Sequence, residues 1–171
     1  AHVPEDRHRM GLVTAFQAKE NVILGYHMQD RYSPGLFLDR SAIRAACEQH
    51  MRDFDVRPPN PDLKTANFSG GNQQKIVLAR EIEQDPQVLI VGQPTRGVDV
   101  GAIEAIHRRL IELRDAGKAI LLVSVELDEI RALSDRILVM FDGRVMGELS
   151  EGADEREIGL LMSGVEQESA A

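Results

Sequence analysis

Apolar positions recur with two different periods in this chain, and the change comes near residue 66. Between about residues 14 and 66 the spacing is helical, and no stretch alternates as a half-buried strand does. Ala18 to Gln29 carries Val22, Ile23 and Tyr26 at helical intervals. Asp39 or Ser41 can cap a second helix running to about Phe54, on which Ile43, Ala46, Cys47 and Met51 share a face. Pro34-Gly35 separates the two, and the run RPPNPD from Arg57 to Asp62 closes the zone, because proline lacks an amide donor and restricts the residue before it.

From Ser69 onward helices and short apolar runs take turns. The pattern predicts a helix over Gly71 to Gln84, a strand over Gln87 to Val91, a helix over Val100 to Ala116 and a β-rich apolar strand over Ala119 to Val125. A short helix follows at Leu127 to Leu133. Arg136 to Phe141 and Arg144 to Leu149 then flank Asp142-Gly143, a pair suited to the positive φ angles of a tight hairpin turn. Asp154 to Ser163 reads as a last helix and VEQESAA as a frayed end. Alternation of this kind argues an α/β fold with a parallel sheet covered on both faces. Two parallel strands and one hairpin leave such a sheet with open edges and an unburied face, so its missing strands are expected to precede Ala1.

Composition narrows the classes. A chain of 171 residues that is 43% apolar and 28% charged suits one soluble globular domain with room for a lobe. Twenty basic against 28 acidic residues, a net charge of -8, argue against a general nucleic-acid surface. Cys47 is the only cysteine, which rules out an internal disulfide and fits a reducing cytoplasm, with the thiol expected in the core. The longest apolar run, Ala119 to Val123, is far below the roughly 20 residues a membrane helix needs. The opening AHVPEDRHRM has neither an initiator Met nor a signal core, and a piece of something larger is expected.

The densest local chemistry is NFSGGNQQK, Asn67 to Lys75, at a helix start. The first amides of a helix lack partners within it and carry the positive end of its dipole; glycines let an anion approach, and the Ser69 hydroxyl adds a donor. An ordinary cap at Ser69 is the competing reading. A cap does not explain Gly70 and Gly71, each costing roughly 1 kcal/mol of helix stability relative to Ala, so something is expected to come close to that backbone. The five histidines are scattered, and Cys47 with His50 falls short of a four-ligand metal set. Glu126, Asp128 and Glu129 are expected to be a solvated helix start rather than an acid-base pair.

The FSGGNQQK stretch, followed by Leu78-Ala79-Arg80, then Val88-Leu89-Ile90-Val91, then the run from Gln93 to Gly101 (QPTRGVDVG), resembles the signature motif, Walker B strand and D-loop of an ABC-transporter ATPase. Val3 to Arg7 resembles the Q-loop segment, and Leu122 to Glu129 with Ser134-Asp135-Arg136 resembles the H-loop region. The resemblance covers almost the whole chain. It is closest to the second, C-terminal nucleotide-binding half of the duplicated ATPases that energise simple-sugar and nucleoside importers. It implies a partial P-loop NTPase-like domain with a helical signature subdomain at 6–84, an α/β core at 85–150 and a C-terminal helix and tail at 151–171. The Walker A loop is expected upstream of Ala1; Gly117-Lys118 does not replace it, since Glu112 and Ala119 occupy its outer positions.

Several positions depart from the family pattern. Gly92 and Gln93 stand where the Walker B Asp and Glu are expected, Val125 stands for the H-loop His, and Glu5 for the Q-loop Gln, a charge that would repel phosphate unless paired. Glycine offers no metal ligand and a neutral amide takes no proton near neutral pH. The resemblance therefore implies a degenerate half without catalytic residues of its own. Ser69, Gly70, Gly71 and Asn72 would serve an ATP, with its Mg²⁺, held by an intact first half, and Asp99 would couple the two sites. The implied partners are that half and membrane-spanning permease subunits, at the cytoplasmic face of the membrane, with no nucleic acid. Exposed sheet faces would favour self-association of the fragment, including a homodimer. A soluble ABC-type ATPase uncoupled from transport and a structural module that binds no nucleotide are the competing readings.

Overall fold

A computed structural model describes residues 1–165. Part of the expected tail, residues 166–171, lies outside the described residues. The chain forms two units, Ala1–Val123 and a second from Ser124 onward.

The first unit is organised around α3 (Gly70–Ile82), whose residues are buried almost all round from Gly71 on. On one side lies a three-stranded parallel sheet of β1 (His2–Val3), β2 (Val88–Gly92) and β3 (Ala119–Val123), with β2 central. Val3 pairs with Val91, and Ile90 with Leu121. α4 (Val100–Asp115) connects β2 to β3 as the crossover that parallel pairing requires. On the other side is the lobe, where α1 (Ala18–Val22) and α2 (Arg40–Asp53) bury Val22, Ile23, Ile43, Cys47 and Met51 together with Tyr32, Phe68 and Ile76. Asp39 caps α2 by accepting from the amides of Ser41 and Ala42. The Cys47 thiol sits in this core, and burial pushes its pKa up to about 12.

Three expectations are corrected. The helix expected through Gln29 ends at Val22 because Gly25 adopts φ +87° and the chain continues in turns such as Tyr26 N to Ile23 O; Ile23 and Tyr26 still pack into the lobe core. The sheet is not covered on both faces. Leu89 and Val91 are buried, whereas Val88, Ile90, Leu121 and Val123 on the opposite face are exposed, in keeping with the expected unburied face. β1, together with the π-helical turn Arg7–Gly11 after it, carries too short a pattern to register as an element in the sequence.

In the second unit β4 (Arg136–Phe141) and β5 (Arg144–Ser150) form the expected hairpin, with Asp142 and Gly143 both at positive φ. α5 (Leu127–Leu133) and α6 (Glu155–Met162) complete it, and Ile137, Val139, Leu149, Ile158 and Leu161 form its core. Glu129 is buried, not solvated as its place at a helix start suggested.

A buried polar network joins the parts of the first unit. Arg80 Nε donates to Glu81 Oε1 at 2.8 Å, and Nη1 donates to the carbonyls of Gly11 at 2.7 Å and Asn21 at 3.2 Å. Glu81 Oε2 accepts from the Tyr26 hydroxyl, whose pKa burial and this bond raise to about 12. Asn21 donates to Thr65 Oγ1 and exchanges both amide bonds with Val13.

Removing Arg80 would leave Glu81 buried without its cation and the Gly11 carbonyl without this donor, while the Asn21 carbonyl keeps the amides of Ile23 and Leu24. Arg80→Ala is therefore expected to lose about 3–5 kcal/mol of stability, read as a lower urea midpoint. A second prediction concerns His50, which is buried in the lobe with Nδ1 unpartnered. Burial first, then the charge of Arg31, pull its pKa from 6.5 to about 4, with Asp53 opposing. The imidazole is neutral in the folded chain, while the unfolded chain takes up a proton below about pH 6.5. Stability is thus full above that value and falls by roughly 3 kcal/mol as pH drops towards 4. His50→Phe should flatten this step in urea titrations across that range.

Candidate functional site

The start of α3 is the focus. Ser69 has extended backbone angles and caps the helix, accepting from Asn72 N at 3.4 Å and Asn72 Nδ2 at 2.8 Å. Asn72 Oδ1 accepts from Arg57 N at 2.7 Å, so this one side chain ties the cap to the lobe. Gln73 Nε2 donates to the carbonyls of Thr65 and Phe68, and its Oε1 lies 2.6 Å from His8 Nε2. Ser69 is exposed, Gly70 half-buried and Gly71 buried, and the amides of Asn72 and Gln73 already bond to Ser69, so the Ser69 hydroxyl and the two glycine amides are the donors that the helix itself does not satisfy.

What comes close to the glycines lies within the chain. A Cβ on Gly70 would sit 2.7 Å from Arg7 Nη2 and 3.0 Å from the Gly97 carbonyl oxygen; one on Gly71 would sit 3.2 Å from Asp99 Oδ2. The Gly97 backbone crowds Gly70 independently of any ligand, while the neighbour of Gly71 is a carboxylate on a side chain that can turn. Asp99 caps α4, accepting from Ala102 N at 2.9 Å, and its other carboxylate oxygen faces Gly71. Ser69, Gly70, Gly71 and Asp99 thus lie along one edge.

Gly92 closes β2, and Gln93 follows it, buried and with φ +47°, where only a turn tolerates an L residue. Gln93 N donates to Val123 O at 2.8 Å. A Cβ on Gly92 would lie 3.0 Å from Glu5 N. This end of the strand does not fit Mg²⁺: Gly92 supplies no side-chain oxygen and Gln93 a neutral amide in place of a carboxylate. Glu5 is paired, its Oε1 lying 2.6 Å from Arg96 Nη1. The strand expected through Val125 ends at Val123, and Val125 is 66% exposed.

Ser69, Gly70, Gly71, Asn72, Asp99, Gly92 and Glu5 are therefore placed within one unit, while Val125 belongs to the second. Sequence reasoning missed Arg7, Arg96 and Gly97, which hold this edge together. Both arginines lie in stretches singled out for other reasons, but their pairing spans 89 residues, and local pattern carries no trace of it.

The crowding at Gly92 gives a direct test. Gly92→Ala forces a methyl against the Glu5 backbone and should cost about 1–3 kcal/mol, measured by urea unfolding; an unchanged midpoint would show that the Glu5 segment yields freely.

No family model matches the chain. It is 50% identical over 164 residues to the nucleoside import ATP-binding protein NupA of Lactococcus lactis subsp. cremoris, covering 95% of this chain and 32% of that protein. It is 45% identical over 165 residues to the glucose import ATP-binding protein TsgD13 of Haloferax volcanii, covering 95% of this chain and 30% of that protein. The chain spans about a third of the length of such relatives. Its fold matches that of a dimeric ATP-binding cassette in a post-hydrolysis state bound to ADP and Pi, with a TM-score of 0.70, 22% identity and coverage of 90% of this chain and 63% of that one.

Proposed function

We propose that this chain, a homologue of sugar and nucleoside import ATP-binding proteins with the fold of an ABC ATPase cassette, is the larger part of a degenerate second nucleotide-binding half. It lends its signature edge to ATP and Mg²⁺ held by an intact first half. The observation that carries the reading is the contrast between two ends of the same unit. The start of α3 keeps Ser69, Gly70 and Gly71 beside Asp99, with donors free to face a phosphate. The end of β2 offers Gly92 and Gln93, which neither ligate a metal nor take a proton from water.

The pairing of Glu5 with Arg96 fits the same division. A carboxylate at a Q-loop position is tolerable where its charge is answered by a guanidinium and no metal-bound phosphate sits beside it. In the complete machine the two halves would work on permease subunits at the cytoplasmic face of the membrane, driving uptake of a simple sugar or nucleoside. Among the described residues no helix is long and apolar enough to cross a membrane, so a docked arrangement is the one this reading requires.

In the complete transporter, Ser69→Arg fills the place of the lent phosphate and is expected to abolish ATP hydrolysis and solute uptake. Retained turnover would sink the reading. Gln93→Glu is expected to leave the hydrolysis rate within about twofold, because the site on this half is not the working one.

A further inference from the structure

Arg7 makes an unusual set of contacts. Its Nη1 donates to the carbonyl oxygen of Arg96 at 3.0 Å. Its Nη2 lies over Gly70, 2.7 Å from where a Cβ would be and 3.5 Å from the corresponding position on Gly97. Nε is buried without a partner. None of the ion pairs among the described residues includes Arg7. The adjacent Asp6 turns its carboxylate into its own backbone, accepting from the amides of His8 and Arg9. No ion pair among the described residues holds this guanidinium, although the charge of Asp6 favours it and that of Arg96 opposes it; its plane covers one surface while its edge donates to another.

The contacts close into a clasp. Residues 5–7 grip the loop after β2 twice, through Glu5 to the Arg96 side chain and through Arg7 to the Arg96 carbonyl. The next residue, His8, reaches Gln73 in the first turn of α3. The start of α3 is thus wedged between the Q-loop segment and the D-loop, with the Arg7 plane filling the space that Gly70 and Gly97 leave. We infer that Arg7 is a positioning residue: it locks the signature turn of α3 to the loop at Arg96–Asp99, so that the two are presented to a partner as one rigid edge. The functional meaning of this clamp rests on the reading that the edge is lent to nucleotide on another half.

The test compares amide hydrogen exchange in the 171-residue chain and in Arg7→Ala. Gln73 N donates to Ser69 O and Val98 N to Thr95 O, so these two amides report on the ends of the clamp. Exchange at both is expected to be about tenfold faster in the variant, with Leu78 and Ala79 in the middle of α3 unchanged. Unchanged exchange at Gln73 and Val98 overturns the inference. If Arg7→Ala loses protection throughout, Arg7→Gln is measured in its place, and uniform loss there too overturns it, because Arg7 then serves global folding alone. Arg7→Lys keeps the charge without the planar fork; full recovery of protection by lysine would also overturn it. In the complete ATPase, Arg7→Ala is expected to raise the KM for ATP about tenfold while kcat stays within about twofold. Faster exchange with an unchanged KM leaves the clamp standing and brings down the lent-signature reading instead.

Discussion

The fold of the first unit depends on a charge placed where charges seldom go. Arg80 lies in the last turn of α3 with its guanidinium in the interior, bonded to Glu81 and to the carbonyls of Gly11 and Asn21. Burying an ion pair is seldom a net source of stability, because desolvation consumes most of the Coulomb gain. What it supplies here is placement. A carbonyl at a helix or turn end needs a donor, and a single planar fork answers two of them while a neighbouring carboxylate answers its charge. An apolar side chain of the same volume could fill the space but could not tell the lobe from the turn at Gly11. Through Glu81 the same network reaches Tyr26 and the amide of His2, so lobe, first strand and α3 are referenced to one another by this pair.

With α3 fixed along its length, its first turn becomes a matter of clearance. Two consecutive glycines weaken a helix start, and a ligand is the first explanation that comes to mind. Geometry supplies another: the Gly97 carbonyl, the Arg7 guanidinium and the Asp99 carboxylate occupy the space where side chains would stand. These explanations are not rivals. Packing that brings the loop at Gly97–Asp99 against the glycines leaves Ser69 exposed at the same turn. On the proposed reading this intrachain contact holds the edge in place, which would lower the entropic cost of holding a phosphate.

Helices with a strong cap and a long period were legible before any coordinates: α2, α3 and α4 lie within a few residues of their expected bounds, and the hairpin follows from Asp142-Gly143. Each rests on local rules that distant contacts reinforce. The two-residue β1 could not be read, because its existence depends wholly on β2 lying beside it. The first lobe helix was overextended because Ile23 and Tyr26 reach the core from turns, where burial follows no period. Ser69, Gly70 and Gly71 stand out as candidates by composition and spacing, whereas Arg7 and Arg96 become visible only when segments 89 residues apart are brought together.

The exposed sheet face follows from the same physics. On β2 the residues alternate between a buried set, Leu89 and Val91, and an exposed set, Val88 and Ile90, yet both sets are β-branched or leucine. A strand designed for water on one side would alternate apolar with polar. With Leu121 and Val123 on β3 continuing the patch, and Ile90 directly opposite Leu121, the face has the composition of an interior. Burial of that face against apolar surface would add the hydrophobic contribution its residues can make, whereas the Arg80–Glu81 pair contributes placement more than stability.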